Sequence, residues 1–557
     1  MAQSKAYAGI QNFARTIDWK LLIFLVLFLN VKLVVKLIAI LFIYIARPDF
    51  KFGFRLRNTR LPLFYLMVIG ITFINWITSG KVFDVNYMLV LLTGIAFWTA
   101  CILAIHQVKM AVEKNDAEIV HNTLVLFFII NAVASYAIYT GIVLETGTIN
   151  PFRYQGNFQK YFMGTGDYIK GISFDTSTTN AVINAFGVLY FLDRKNAGMT
   201  LLCMFTLLLT ASNFTNLLLC GVFAGLFVFA SDKNQKSLMV VCLMLIVLFM
   251  VKISPQNNRY LQEFYSKYFN KNPRGIDKNV IAAANVEVQQ KENGQVSEAE
   301  RKQSIAKAYI DSMDKTIKER RLPKLVDTTP AGSLLAKAEQ IIIPPPNIHS
   351  DSFQHKNDTT QLQKKLLDLS VQQSAVFPLV NQLKSPMKLP GKMIALQQTV
   401  SYFQQHPKKM ITGAGMGNFS SKLAFKATAL KVAGGYPAKF AYIHPDFKSN
   451  HFDLYLSYFT RQEKLHSLTN NPNNVYDQLL AEYGLAGIAA LVFLYFYFFA
   501  KHRRKLTYGI PILIFTAVIF LADYWFEQLS IIILFELLLL LDIKETATQK
   551  IATHVIA

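Results

Sequence analysis

With 557 residues, 52% of them hydrophobic, and a mean hydropathy of +0.29, the chain is too apolar for a soluble protein. It reads as a polytopic membrane protein carrying a soluble portion. The formal charge of +22 asks for an anionic partner, and with no basic, aromatic-interleaved module in view this excludes nucleic acid and favours phosphorylated lipid.

The N-terminal "MAQSKAYAGIQNFARTIDWK" runs into an apolar stretch without an A-x-A-like cleavage site, so no cleaved signal peptide is expected. Apolar runs near 19–31, 33–47, 61–79, 86–107, 118–141, 174–192, 198–212, 216–230 and 237–253 precede a long polar stretch, and runs at 476–500, 507–522 and 527–542 follow it. In the first pair, Asn30, Lys32 and Lys36 favour a short hairpin over one long tilted helix. The expected fold is all-α and polytopic, with about twelve transmembrane helices and a large, mostly helical loop between helices nine and ten. Residues 1–253 form the first membrane unit, 254–475 the loop, with 256–390 read as an insert, and 476–557 the second membrane unit. The short connections "RPDFKFGFRLRNTR", "LDRKN", "SDKNQK" and "KHRRK" carry the basic excess, while "SGKVFDVN", "TASNFTN" and "ADYWFE" do not. Placing the basic set in the cytoplasm puts 142–173 and 254–475 outside and both termini inside. The four cysteines, Cys101, Cys203, Cys220 and Cys242, lie in apolar runs with neither disulfide-framework nor zinc spacing.

Within the first outer segment, "PFRYQGNF" sets Arg153 among aromatic residues and turn formers, a residue type suited to phosphate. "TASNFTN" leaves Ser212 at an outer face. In the large loop, Ser297-x-x-Glu300 is a capping box opening an exposed helix. Further on, "GKMIALQQTVSYFQQHPKKMITGAGMGNFSSKLAF" reads as an amphipathic helix over 394–405, a His406-Pro407 stop, and a turn at Gly413, Gly415 and Gly417 followed by Asn418. Such turns present backbone N–H groups to anions, or simply reverse the chain. His444, His451, Arg461, Lys464 and His466 crowd the approach to the last membrane unit, in no metal-ligand spacing, so no metal and no cofactor are expected. That unit opens on "NNPNNVYDQLLAEYGLAGI", in which Asn474, Gln478 and Glu482 recur once per turn as one polar stripe. At bilayer depth such a stripe faces water or a ligand, or forms a seam between packed helices.

Four of these pieces, in order, resemble the O-antigen ligase and O-antigen polymerase superfamily of bacterial envelope enzymes: "RYQGNF", "HPKKMITGAGMGNF", "NNPNNVYDQLLAEYGLAGI" and "DYWFEQLSIIILFELLLLL". The resemblance implies a metal-independent glycosyltransferase of the bacterial inner membrane. It would move a glycan from an undecaprenyl-diphosphate carrier to a sugar hydroxyl on a glycan, lipid A–core or glycoprotein acceptor at the periplasmic face. It further implies cations on the diphosphate, for which Arg153 and Lys392 are the candidates, and a base on the acceptor hydroxyl. Gly413, Gly415, Gly417, Asn418, Arg461, Asn474, Gln478, Glu482 and Ser212 become candidate substrate contacts. The chain departs from the family where Lys392 follows Gly391 in place of an arginine, and where Asn471 and Asn473 stand at histidine positions. His466, a few residues upstream, is the candidate displaced base. A lipid-linked oligosaccharide flippase and a non-catalytic envelope protein are the alternatives.

The charge pattern makes a direct prediction. Single cysteines at Lys315 and Lys448, in a background without the native four, are expected to react with an impermeant maleimide in intact cells. Protection of both sites would reverse the topology.

Overall fold

The computed structural model describes residues 15–55, 59–79, 84–153, 165–229, 231–254, 390–428, 436–458 and 471–556. The insert near 256–390, with its expected helix at Ser297, lies outside the described residues, as do Arg461 and His466.

Each of the twelve apolar runs is helical, and among the described residues there is no strand. The first nine are α1 (Trp19–Phe28), α2 (Leu33–Ala46), α3 (Phe64–Thr78), α4 (Val85–Lys114), α5 (Ala117–Thr146), α6 (Ser177–Asp193), α7 (Ala197–Leu209), α8 (Asn213–Phe229) and α9 (Lys233–Leu248). The large loop contributes α10 (Gly391–Gln405), α11 (Lys422–Ala427), α12 (Pro445–Ser449) and α13 (His451–Tyr458). Then come α14 (Val475–Ala489), extended by a π-helical stretch at Ala490–Phe496, α15 (Gly509–Ile519), the short α16 (Trp525–Gln528) and α17 (Ser530–Ile556). Among the described residues, four helical stretches are long and apolar enough to cross a membrane: Val85–Lys114, Ala117–Thr146, Lys233–Ile253 and Val475–Lys505. Six more are apolar but only 10–17 residues long.

The first two runs form a hairpin, broken where Asn30 and Lys32 interrupt the apolar sequence, and its tip is pinned by the Val31 N–H donating to the Ser173 carbonyl at 2.7 Å. Asp18 gathers the other end: it caps α1, pairs with Arg47 beyond α2, and accepts from Asn115 beyond α4 at 2.6 Å. α6 and α17 are the central pillars, with α6 buried from Thr179 to Leu192 and α17 from Ser530 to Asp542. A polar cluster inside this core ties α5 to α6. Asn131 of α5 and Asn180 and Asn184 of α6 bond one another, and the Ile172 N–H donates to Asn131 Oδ1 at 3.2 Å.

The connections divide into two sets that bond within themselves. Asn86 donates to the Ala441 carbonyl at 3.1 Å and Asn150 to the Ile253 carbonyl at 3.1 Å, joining segments expected outside. Arg60 pairs with Glu113, Arg194 with Glu545, and Lys195 with Asp232, joining segments expected inside.

The feature that positions the outer elements is a break in α14. Gly484 has φ 66° and ψ −163°, a conformation closed to other residues. The break frees backbone groups on both sides, and the glycine turn takes them up. The Ala414 N–H donates to the Ala481 carbonyl at 2.8 Å and that of Gly415 to the Glu482 carbonyl at 3.0 Å. In return, the Leu485 N–H donates to the Met410 carbonyl at 2.9 Å and that of Ala486 to the Ile411 carbonyl at 3.0 Å. The approach leaves no room for side chains: a Cβ on Gly484 would sit 2.4 Å from the Ile411 oxygen, and one on Gly413 2.3 Å from the Glu482 carbonyl carbon.

Alanine at Gly484 or Gly413 is therefore expected to lower the melting temperature of the detergent-purified protein sharply. The positive-φ backbone alone costs about 1–3 kcal/mol before any clash. Gly70→Ala, where a Cβ meets nothing within 4 Å, is the control and should leave melting within a degree or two, roughly the range of a neutral surface change.

Candidate functional site: the outer face around the broken helix

α10 begins three residues earlier than its apolar periodicity suggests, because Pro390 fixes the N-cap, and it ends at His406 as the His-Pro signal requires. Its buried face, including Ala395, Gln398, Thr399 and Tyr402, packs on α14. A 3-10 turn at Pro407–Lys409 then leads into the glycine turn, in which Gly413, Gly415 and Gly417 all have positive φ. Met416 of this turn fills a notch at Gly94 of α4, where a Cβ would lie 1.9 Å from its sulfur. Asn418 is buried: it donates to the Ala414 carbonyl at 3.0 Å and accepts from the Tyr442 hydroxyl at 3.0 Å.

The polar stripe of α14 lies inside this assembly. Asn474 caps the helix through the Tyr476 N–H at 2.9 Å. Glu482, fully buried, accepts the N–H of Gly417 at 2.9 Å on one carboxylate oxygen and those of Ser420 and Phe419 at 3.2 and 3.3 Å on the other. The turn does present its N–H groups to an anion, and that anion is Glu482 of the same chain. Gln478 donates to Glu527 of α16 at 2.7 Å, while its own Oε1 is buried without a hydrogen-bond partner.

Lys392 reaches from α10 to the asparagine run. Its ammonium donates to Asn471 Oδ1 at 2.8 Å, to the Asn473 carbonyl, and to the Ala522 carbonyl at 3.3 Å. Burial pushes its pKa down to about 7, against the pull of Asp523 and Asp477. All three protons are engaged within the chain, so a diphosphate here would have to displace one of these acceptors. Asn473 in turn donates to Asp523 at 3.1 Å. Both asparagines at the histidine positions therefore act as ties.

The structure does not bring every candidate together. Ser212 shares a hydrogen bond with Thr215 at the start of α8, at 2.9 Å. Arg153 closes a 3-10 turn at Pro151–Arg153, and its side chain lies outside the described residues.

Two groupings escaped the sequence reading. One is a hub at Asp477, which accepts from Thr399 at 2.8 Å and Ser420 at 3.1 Å and lies 3.6 Å from His451 Nε2. That nitrogen donates to the Ala395 carbonyl at 3.0 Å, and burial holds the His451 pKa below the usual histidine value against Asp477. The other is a set of lysines. Lys36 of α2 is buried and donates to the Phe28 carbonyl at 2.7 Å and to Ser530 at 3.0 Å, within electrostatic reach of Asp175 and Lys422. Lys422 and Lys426 lie one turn apart on α11, close to Glu527, which accepts the Leu423 N–H at 3.0 Å. Burial, and then Lys422, hold Lys426 below the usual lysine value, opposed by Glu527 and Asp175. The spacing of Lys422 and Lys426 was visible in "SSKLAFKA", whereas Lys36 reads in sequence only as an interruption between two helices.

No protein-family model, curated protein or solved structure matches the chain.

Lys392→Met would leave the Asn471, Asn473 and Ala522 oxygens without their donor. Each buried group so orphaned costs about 1–3 kcal/mol. The variant is expected to melt well below the wild type in detergent, with Lys392→Arg in between. An unchanged melting temperature for Lys392→Met would remove the tie.

Proposed function

We propose that the chain is a bacterial inner-membrane glycosyltransferase of the O-antigen ligase and polymerase type, with twelve membrane spans, both termini in the cytoplasm and residues 254–475 in the periplasm. It transfers a glycan from an undecaprenyl-diphosphate carrier to a sugar hydroxyl. The observation that carries this reading is the gathering of Lys36, Lys422 and Lys426 next to the glycine turn and the broken helix, where the outer loop meets the membrane helices. The two sets of mutually bonded connections support the assignment of one face to the loop.

The acceptor oxygen attacks the anomeric carbon, the bond from that carbon to the diphosphate breaks, and the diphosphate leaves with the electron pair. Cations that face the leaving group lower this barrier because its charge grows in the transition state, and in a water-poor site the effect is large. Lys36, Lys422 and Lys426, beside Asp175 and Glu527, are the groups proposed for that task. Arg153 is the further candidate cation, and His466 the candidate group that takes the hydroxyl proton, a contribution of about 10²–10⁴-fold.

The purified protein, in EDTA, is expected to consume an undecaprenyl-diphosphate glycan and release the diphosphate carrier. Lys422→Ala with Lys426→Ala should lower turnover about 10²–10³-fold, the range seen when a charge-stabilising donor is lost. Full turnover in that variant would take the lysines out of the site. A folded wild type that consumes no such donor would defeat the reading.

A further inference from the structure

Among the described residues nothing covers the outward face of α10, where large apolar side chains stand beside Gln397 and Gln404. Met393, Leu396 and Val400 follow one another at helical spacing and are 56%, 47% and 45% exposed. Met410 and Ile411, just past the 3-10 turn, are 43% and 63% exposed. Five large apolar side chains along one short element form the kind of patch that marks a docking surface.

Its level in the molecule follows from the broken helix. The helix below the break ends at Ala500, where the basic "KHRRK" connection begins, so residues 485–500, with Ala490–Phe496 π-helical, rise at most about 24 Å at 1.5 Å per residue, most of the roughly 30 Å hydrocarbon core. The break therefore falls within about one helical turn of the boundary between hydrocarbon and headgroups. The carbonyls of Met410 and Ile411 are bonded to the first two residues below it, Leu485 and Ala486. Leu485, Val492 and Phe493 are themselves 48%, 44% and 66% exposed, so the patch continues the outward surface of that span. Lys408 is exposed and Lys409 half-buried, at the end of the patch where it meets the turn. Apolar residues with flanking lysines are the composition of an interfacial helix on an anionic surface.

We infer that α10 and its following turn lie in the membrane interface on the loop side, with Met393, Leu396, Val400, Met410 and Ile411 in the acyl boundary and Lys408 and Lys409 among anionic headgroups. The occupant of the patch is the bilayer. The inference needs the span at Val475–Lys505 and is independent of the chemistry proposed above. Its consequence is that the glycine turn sits at headgroup height, where a ligand arriving within the membrane reaches it sideways.

The wild-type protein can be tested in vesicles of zwitterionic and anionic phospholipid that contain a phospholipid with a diazirine on its acyl chain. After illumination, mass spectrometry is expected to find lipid adducts on the peptide covering 391–411 as well as on 485–493. Leu396→Asp should reduce the adducts on 391–411 at least several-fold while leaving those on 485–493 in place. Adducts on 485–493 alone would overturn the inference.

Discussion

The structure of the outer face depends on one exchange of backbone hydrogen bonds. A helix broken in an apolar setting exposes carbonyls above the break and N–H groups below it, each costing several kcal/mol if left unpaired. Here the Ala481 and Glu482 carbonyls and the Leu485 and Ala486 N–H groups all find partners in the 410–415 segment. Asn75 of α3 adds a bond to the Thr412 carbonyl. The turn is thus built into the helix, and α10, α11 and the lysines they carry are fixed relative to the membrane unit through it.

The second constraint is charge. Glu482 is fully buried among three backbone N–H donors, so the turn and the carboxylate satisfy each other. Asp477 has the same role a turn earlier in the helix, drawing α10, the glycine segment and α13 toward α14 through Thr399, Ser420 and His451. The lysines near α11 are different in kind. Lys36 has two neutral acceptors and no carboxylate in contact, and Lys426 is held below its usual pKa by burial and by Lys422.

Much of this was legible in the residues. Apolar runs fixed every long helix, since a stretch of lipid-compatible side chains must satisfy its backbone internally. The His406-Pro407 stop and the glycine-rich turn are local signals with local causes, and each appears where the sequence puts it. The stripe at Asn474, Gln478 and Glu482 was also visible, though its two meanings, cavity lining or seam, were not separable. Glu482 proves to be seam, bonded to the turn, while Gln478 faces Glu527.

What the sequence by itself determined is therefore the helical class, the place of the long polar loop and the existence of a patterned segment before the last membrane unit. Those follow from composition and from residues within a few positions of one another. Only the tertiary structure decided that Gly484 breaks its helix to admit a turn some seventy residues upstream, a separation at which no local rule operates. It alone decided that Lys392 binds the asparagine run and that Lys36, far away in the chain, joins Lys422 and Lys426. Hydrogen bonds and charge act through space at a few ångströms, so their partners are chosen by packing, which the order of residues does not display.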